Sequence, residues 1–232
     1  MHKNHIEGAE RARSPIERSL QRPAVFRETL LSVPPTDRDA WVNSVFGLGD
    51  PIDDGPELPH GCVPYLPCSV DALLHVVAKA RVRPSDVFVD VGSGAGRAAA
   101  LVHLLTGAEV IGVEVQSRLV LAARDLANRL LVSRVSFVEG DAVKLIAYVS
   151  IGSVFFLYCP FSGDRLAKLV AALEPVARTK MIRVCCVDLP PLECRWLTLE
   201  PSPLGYPDIY RSTLHDERFG SPRPRARSSG SR

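Results

Sequence analysis

The 232-residue sequence has no apolar run approaching the roughly 18 to 20 residues that cross a bilayer, so a membrane-spanning role is not expected. It has six cysteines, Cys62, Cys68, Cys159, Cys185, Cys186 and Cys194, but no CxxC pair. That spacing excludes the usual zinc and redox motifs and points to reduced, mostly buried thiols. Cys185 and Cys186, being adjacent, face opposite sides of any strand that carries them. His and acidic residues form no metal-ligand cluster, and no metal is expected. Charge of one sign is also scarce: 28 Lys and Arg against 26 Asp and Glu leave a formal +2. Phosphate binding rests on clustered cations, and here the clustering is confined to the ends, so a nucleic-acid partner is not expected. The opening MHKNHIEGAERARSPIERSLQRP lacks the apolar centre and small-residue cleavage site of a secretory signal, which implies a cytoplasmic protein.

A hydrophobic share of 46% with 23% charged residues fits one soluble globular domain, and a chain of this length buries about 70% of its unfolded surface. Residues 1–22 are polar and aperiodic and read as a disordered tail; 217–232, rich in Arg, Ser and Pro, read as a second one. That basic tail suits a solvated extension or a weak docking arm for an acidic surface or nucleic acid. Residues 23–70 form a helical or irregular lead-in with apolar islands AWVNSVFGL and CVPYLPC, expected to pack on a core of 71–216.

Within that core, helical and strand periods alternate. DALLHVVAKA, capped by Ser69 or Asp71, is helical; DVFVDV (86–91) is a strand; RAAALVHLLT (97–106) is helical; AEVIGVEV (108–115) is a buried strand. A helix over 116–130, strands at 134–140 and 152–159, and a helix over 164–173 follow. Segments 181–189, 195–200 and 208–214 close the chain as strands, the last two with no long helix between them. Such alternation is the pattern of a parallel sheet faced by helices, here finishing with an antiparallel pair.

The first strand-to-helix turn, VFVDVGSGAGR (87–97), places Gly92, Gly94 and Gly96 at alternate positions. Glycine permits positive φ and close backbone approach at an entropic cost, so three in five residues point to a ligand there. The next helix offers free N–H groups and the positive end of its dipole. A dinucleotide site reads GxGxxG, whereas here Gly96 comes one place early and Arg97 stands where the third glycine belongs, which argues against NAD.

The run instead reads acid-x-Gly-x-Gly-x-Gly from Asp90, and it resembles the first motif of the class I S-adenosylmethionine-dependent methyltransferases, over roughly residues 65 to 214. The resemblance implies a three-layer, Rossmann-like α/β sandwich with a seven-stranded, mostly parallel sheet and an antiparallel final strand. It also implies S-adenosyl-L-methionine as cofactor. On it, Asp90, Gly92, Ser93, Gly94, Ala95 and Gly96 flank the methionine part. Glu114, eighteen residues past Gly96, with the adjoining Val115, meets the ribose hydroxyls. Asp141 in VEGDA meets the adenine amino group, and Ala142 offers backbone contact. Each acid has a plainer role open to it: Asp90 as a turn cap, Glu114 as a solvated strand end, Asp141 as the N-cap of AVKLIAY. Three of them in order at three strand ends favour the binding role.

After the fourth strand, FLYCPFSG (156–163) stands where amino-directed relatives carry Asn-Pro-Pro-aromatic or Asp-Pro-Pro-aromatic; no Asn or Asp is present, which removes support for adenine-N6 or glutamine acceptors. Upstream, Pro64, Tyr65, Pro67 and Ser69 resemble the PY-x-P-S/T lead-in of small protein-lysine methyltransferases, with Cys68 displacing the serine. Tyr65, Tyr158 and Phe161 are therefore the expected walls of an acceptor channel, Tyr158 also covering the cofactor. Direct methyl transfer needs positioning more than a nucleophile, so Cys159 reads as a wall residue. Nothing ties His60, His75 or His103 to the cleft. The acceptor is expected to be a protein lysine, with a small-molecule O- or N-acceptor and a catalytically silent cofactor-binding module as the alternatives.

Overall fold

The computed structural model describes residues 22–49, 52, 58–161, 163–201 and 206–215; both proposed disordered tails, apart from residue 22, lie outside them. Two helices open the described chain, α1 (Pro23–Ser32) and α2 (Arg38–Phe46), with a 3-10 turn at Pro35–Asp37 between them. Phe26, Leu30, Val42 and Phe46 are fully buried and share a core with the helices that follow. The lead-in is thus part of the body of the protein.

Helix α3 (Val70–Lys79) starts at Ser69, whose hydroxyl accepts from the Ala72 amide at 3.3 Å. Asp71 does something else: it pairs with Arg38 at 2.6 Å and ties α2 to α3. The rest follows in order: β1 (Val87–Val91), α4 (Arg97–Thr106), β2 (Glu109–Glu114), α5 (Ser117–Leu130) and β3 (Val135–Glu139). A short α6 (Ala142–Leu145) runs into a 3-10 turn at Ile146–Tyr148. Then come β4 (Val154–Tyr158), α7 (Gly163–Thr179), β5 (Arg183–Val187), β6 (Leu197–Leu199) and β7 (Asp208–Ser212).

The seven strands lie in the order β3-β2-β1-β4-β5-β7-β6. β1 to β5 are parallel, and β7 runs antiparallel to both neighbours, with Val184 opposite Tyr210 and Leu199 opposite Tyr210 on the other side. This is the Rossmann-like architecture that the glycine-turn resemblance implies. Side chains alternate across the sheet, as a two-residue period requires. Phe88, Val110, Phe156 and Cys185 face the layer of α1 to α5, while Val89, Ile111, Phe155 and Cys186 face α6 and α7. The neighbouring thiols do point to opposite faces.

One element departs from its sequence pattern. The helical period is legible only to Leu173, yet α7 continues through Pro175 to Thr179. Proline removes one intrahelical bond, but Val176 and Ala177 beyond it are buried, and their packing holds the helix together past the break.

Because β1 to β4 are parallel, their carboxyl ends share one edge. Asp90, Glu114, Asp141 and Tyr158 all lie at or just past it, where open α/β sheets place their ligands.

Candidate functional site

The glycine turn is held from below by β2: the amides of Gly92 and Ser93 donate to the Val113 carbonyl at 2.8 and 3.1 Å. Gly92, Gly94 and Gly96 have φ of 78°, 52° and 79°, left-handed geometry that only glycine adopts freely. Each also has a close protein neighbour. A β-carbon on Gly92 would stand 2.8 Å from Pro160, on Gly94 2.1 Å from the Tyr65 ring, and on Gly96 2.7 Å from Phe137. The sequence reading credited these glycines to a ligand alone. The structure adds that the surrounding side chains use the space as well.

The three acids differ in surroundings. Asp90 is buried, and burial, with a smaller contribution from nearby Glu114, pushes its pKa up to about 7. Its Oδ2 and the Ser93 hydroxyl have no hydrogen-bond partner. Glu114 is buried and folded back on the backbone: Oε2 accepts from Gly94 at 2.9 Å, and Oε1 from Val115 and Gln116 at 2.8 and 2.9 Å. Asp141 takes the N-cap role, its Oδ1 accepting from Val143 at 3.0 Å, and the same oxygen accepts from Arg165 Nη2 at 2.5 Å.

A roof closes over this edge. The Val63 amide donates to the Pro160 carbonyl at 3.1 Å, and Cys62 forms an isolated antiparallel bridge with Phe161. The lead-in is pinned further by Arg97, a buried side chain at the start of α4 whose guanidinium donates to Asn43 Oδ1, the Cys68 carbonyl and Asp39 Oδ1 at 2.7 to 2.8 Å. Cys159 and Asp188, following β4 and β5, both have positive φ, 41° and 54°. Backbone strain of that kind persists only where the surroundings enforce it, and it concentrates at functional sites.

Under the roof lies one cavity. Glu114, Val115, Gln116, Gly140 and Ala142 line one part; Tyr65, Tyr158, Cys159, Phe161 and Asp188 are also in its wall, as are Gly92 and Arg165. The three aromatic residues expected in an acceptor channel therefore share a cavity with Glu114. Asp90 and Ser93 border a smaller adjoining cavity, with Tyr65, Gly92 and Tyr158 common to both. Gly94, Ala95 and Gly96 line neither cavity, and Asp141 reaches the site through its neighbours Gly140 and Ala142. His60 and His75 are exposed and His103 bonds the Ala108 carbonyl at 2.7 Å, all three outside both cavities. Among the described residues no group of three or more His, Cys, Asp or Glu is placed to hold a metal ion, and no helix is long and apolar enough to cross a membrane. All six cysteines are free thiols.

Sequence reasoning missed Gln116, Arg165 and Asp188, and noticed Arg97 only as a departure from a glycine pattern. A signal existed for both arginines. Each sits in the first turn of a helix, α4 or α7, where the dipole opposes a cation, so each needs a compensating partner elsewhere.

A family model described as protein-L-isoaspartate (D-aspartate) O-methyltransferase matches residues 36–148, ending just before β4. Among solved structures, an RNA methyltransferase from Salinibacter ruber in complex with S-adenosyl-L-homocysteine is 26% identical, with a TM-score of 0.50, covering 63% of this chain and 92% of that one. A precorrin-6y C5,15-methyltransferase from Geobacter metallireducens is 17% identical with a TM-score of 0.43, covering 58% of this chain and 68% of that one. A protein-L-isoaspartate O-methyltransferase is 21% identical with a TM-score of 0.39, covering 45% and 32%. Comparison with curated proteins gives no match. The chain is an S-adenosylmethionine-dependent methyltransferase of the class I, Rossmann-like fold.

Proposed function

We propose that this enzyme methylates an amine nitrogen of a protein, a lysine side chain first of all. The observation that carries the reading is the wall of the main cavity: Tyr65, Tyr158 and Phe161 together, with Asp188 exposed beside them and Val63 and Leu66 exposed on the roof. An exposed carboxylate attracts an ammonium group, whereas an aromatic, water-poor interior disfavours charge and so favours the neutral amine, the form with a free lone pair. An apolar and acidic rim is poorly matched to a polyanion. The isoaspartate family match ends at residue 148, before the segments that supply Tyr158, Phe161 and Asp188, so it bears on the cofactor half of the site.

The residues fit the cofactor. Asp90 Oδ2 and Ser93 Oγ are buried polar atoms awaiting partners, and an ammonium group such as that of a methionine moiety would satisfy the carboxylate. Glu114 Oε2 accepts one bond in this structure and has a second lone pair for a ribose hydroxyl. The observed bonds to the Asp141 side chain go to Oδ1, which leaves Oδ2 for an exocyclic amine; the Val143 and Lys144 amides are spent on Asp141 itself, and the Ala142 amide at the start of α6 has no acceptor within the helix. When bound, S-adenosylmethionine supplies a methyl group made electrophilic by its sulfonium. The chain's own residues then have to hold the acceptor in line and exclude water, and such positioning contributes up to roughly 7 to 11 kcal/mol in favourable cases.

The Val63–Pro160 and Cys62–Phe161 contacts cover the cavity, and this cover supports a second reading, a small-molecule N- or O-acceptor. Methyl-labelled cofactor incubated with the enzyme and a fractionated cell extract separates the readings. Label recovered as methyl-lysine from protein supports the first, and label in the small-molecule fraction the second. Label in RNA overturns both. Cofactor binding without transfer to any fraction would leave a cofactor-dependent module.

A further inference from the structure

Arg165 occupies a position that its helix disfavours, in the first turn of α7 against the positive end of the dipole. Three neighbours account for it. Nη2 donates to Asp141 Oδ1 at 2.5 Å, and Cζ lies 5.4 Å from the centroid of the Phe161 ring, within cation–π range. The Cys62 thiol lies within electrostatic reach of the same guanidinium, whose charge opposes the upward push that burial gives its pKa. One cation thus touches the acid after β3 and the aromatic after β4, and through that aromatic it is joined to the roof segment bridged to it at Cys62. Its ion pair is only about one-fifth exposed on either side. Arg165 also lines the main cavity, and its Nε–H is buried with no acceptor.

We infer that Arg165 is a positioning residue that makes recognition of the purine and closure of the roof depend on each other. The inference rests on the cofactor assignment at Asp141 above. By occupying Oδ1, Arg165 keeps Asp141 oriented with Oδ2 open to an exocyclic amine. By packing on Phe161, to which Cys62 of the roof is bridged, it holds the roof down over the same cavity. A purine that engages Asp141 stiffens the acid, the acid stiffens the guanidinium, and the guanidinium retains the roof. Removing the cation uncouples the two ends.

The test uses the full chain and two nucleosides, S-adenosylhomocysteine and S-inosylhomocysteine, in which a 6-oxo group replaces the adenine amine. Calorimetry gives both affinities, and hydrogen exchange at the Val63 amide reports the roof. The wild-type protein is expected to prefer the adenine compound roughly tenfold, the scale of one charge-assisted hydrogen bond, with slower Val63 exchange when it is bound. Arg165→Met should lose most of that preference and the ligand-dependent protection of Val63 together, and Arg165→Lys should restore part of both. A folded Arg165→Met protein that keeps the preference, or keeps the ligand-dependent protection, overturns the inference. Should Arg165→Met fail to fold, Asp141→Asn decides: faster Val63 exchange in the free protein supports the coupling, unchanged exchange refutes it. If neither nucleoside binds the wild-type protein, the cofactor assignment falls. The latch between Asp141 and the roof is then judged by Val63 exchange in free Arg165→Met protein alone, and unchanged exchange sinks it too.

Discussion

The ring of Tyr65 rests on Gly94 so closely that a β-carbon there would lie 2.1 Å from Cε2. The lead-in and the glycine turn are therefore shaped to each other, and the roof cannot sit as it does over any other residue. Gly94 also has a φ of 52° and donates its amide to Glu114. Gly94→Ala is expected to cost about 1 to 3 kcal/mol of stability through backbone strain and to weaken S-adenosylmethionine binding at least tenfold. Pairing it with Tyr65→Ala relieves the overlap but not the strain, so only part of the affinity should return. Denaturant melts and calorimetry of the single and double variants check both statements.

Asp90 gives a pH signature. Burial, then Glu114, raises its pKa from the ordinary 3.8 to about 7. Between about pH 4 and 7 the folded chain keeps a proton that the unfolded chain has released, so stability falls as pH rises through that window and levels off above it. Asp90→Asn should flatten the slope, as followed by melting temperature against pH. A bound ammonium group favours the carboxylate, so cofactor affinity should rise with pH towards 7 and binding should release a proton. Calorimetry in two buffers of different ionisation heat measures that release.

Arg97 is nearly fully buried and bonds three groups of the lead-in. Arg97→Met leaves the Cys68 carbonyl and Asn43 without this donor, at an expected cost of about 2 to 4 kcal/mol. Lysine has no planar fork and should recover little of it. Equilibrium unfolding in urea is the measurement, and limited proteolysis should cut first between α2 and α3.

Glu114 and Phe161 should separate binding from transfer. Glu114→Ala removes the proposed acceptor for the ribose and the acceptor of three backbone amides, and a loss of about a hundredfold in cofactor affinity is expected from charge-assisted hydrogen bonds alone. Phe161→Ala should leave adenosylhomocysteine affinity within a few-fold while lowering kcat on the identified acceptor by at least tenfold. Unchanged turnover removes Phe161 from the acceptor wall.

Much of the fold was legible because it rests on local patterns. The helical stripe of α3, the continuous apolar run of β2 and the glycine turn before Arg97 are each written within a dozen residues. Glu114 and Asp141 were legible as site candidates for the same reason, since both fall at strand ends set by periodicity. What escaped depends on distant parts of the chain. Arg165 acquires meaning only once β3 and β4 are neighbours of α7, and the Tyr65–Gly94 contact spans two elements with no sequence signature in common. Asp188 looked like any strand-end acid until β5 was placed beside β4. The extension of α7 through Pro175 was hidden by a local rule that burial overrides.

The bridge between Cys62 and Phe161 joins segments made far apart in time as well as in sequence. On the ribosome the covering segment emerges early and must wait until the polypeptide has grown past β4 before its mate exists. A nascent chain stopped near residue 148 would hold the glycine turn and all three acids yet have nothing to fasten its lid to, so competence to enclose a nucleoside arrives only in the second half of synthesis.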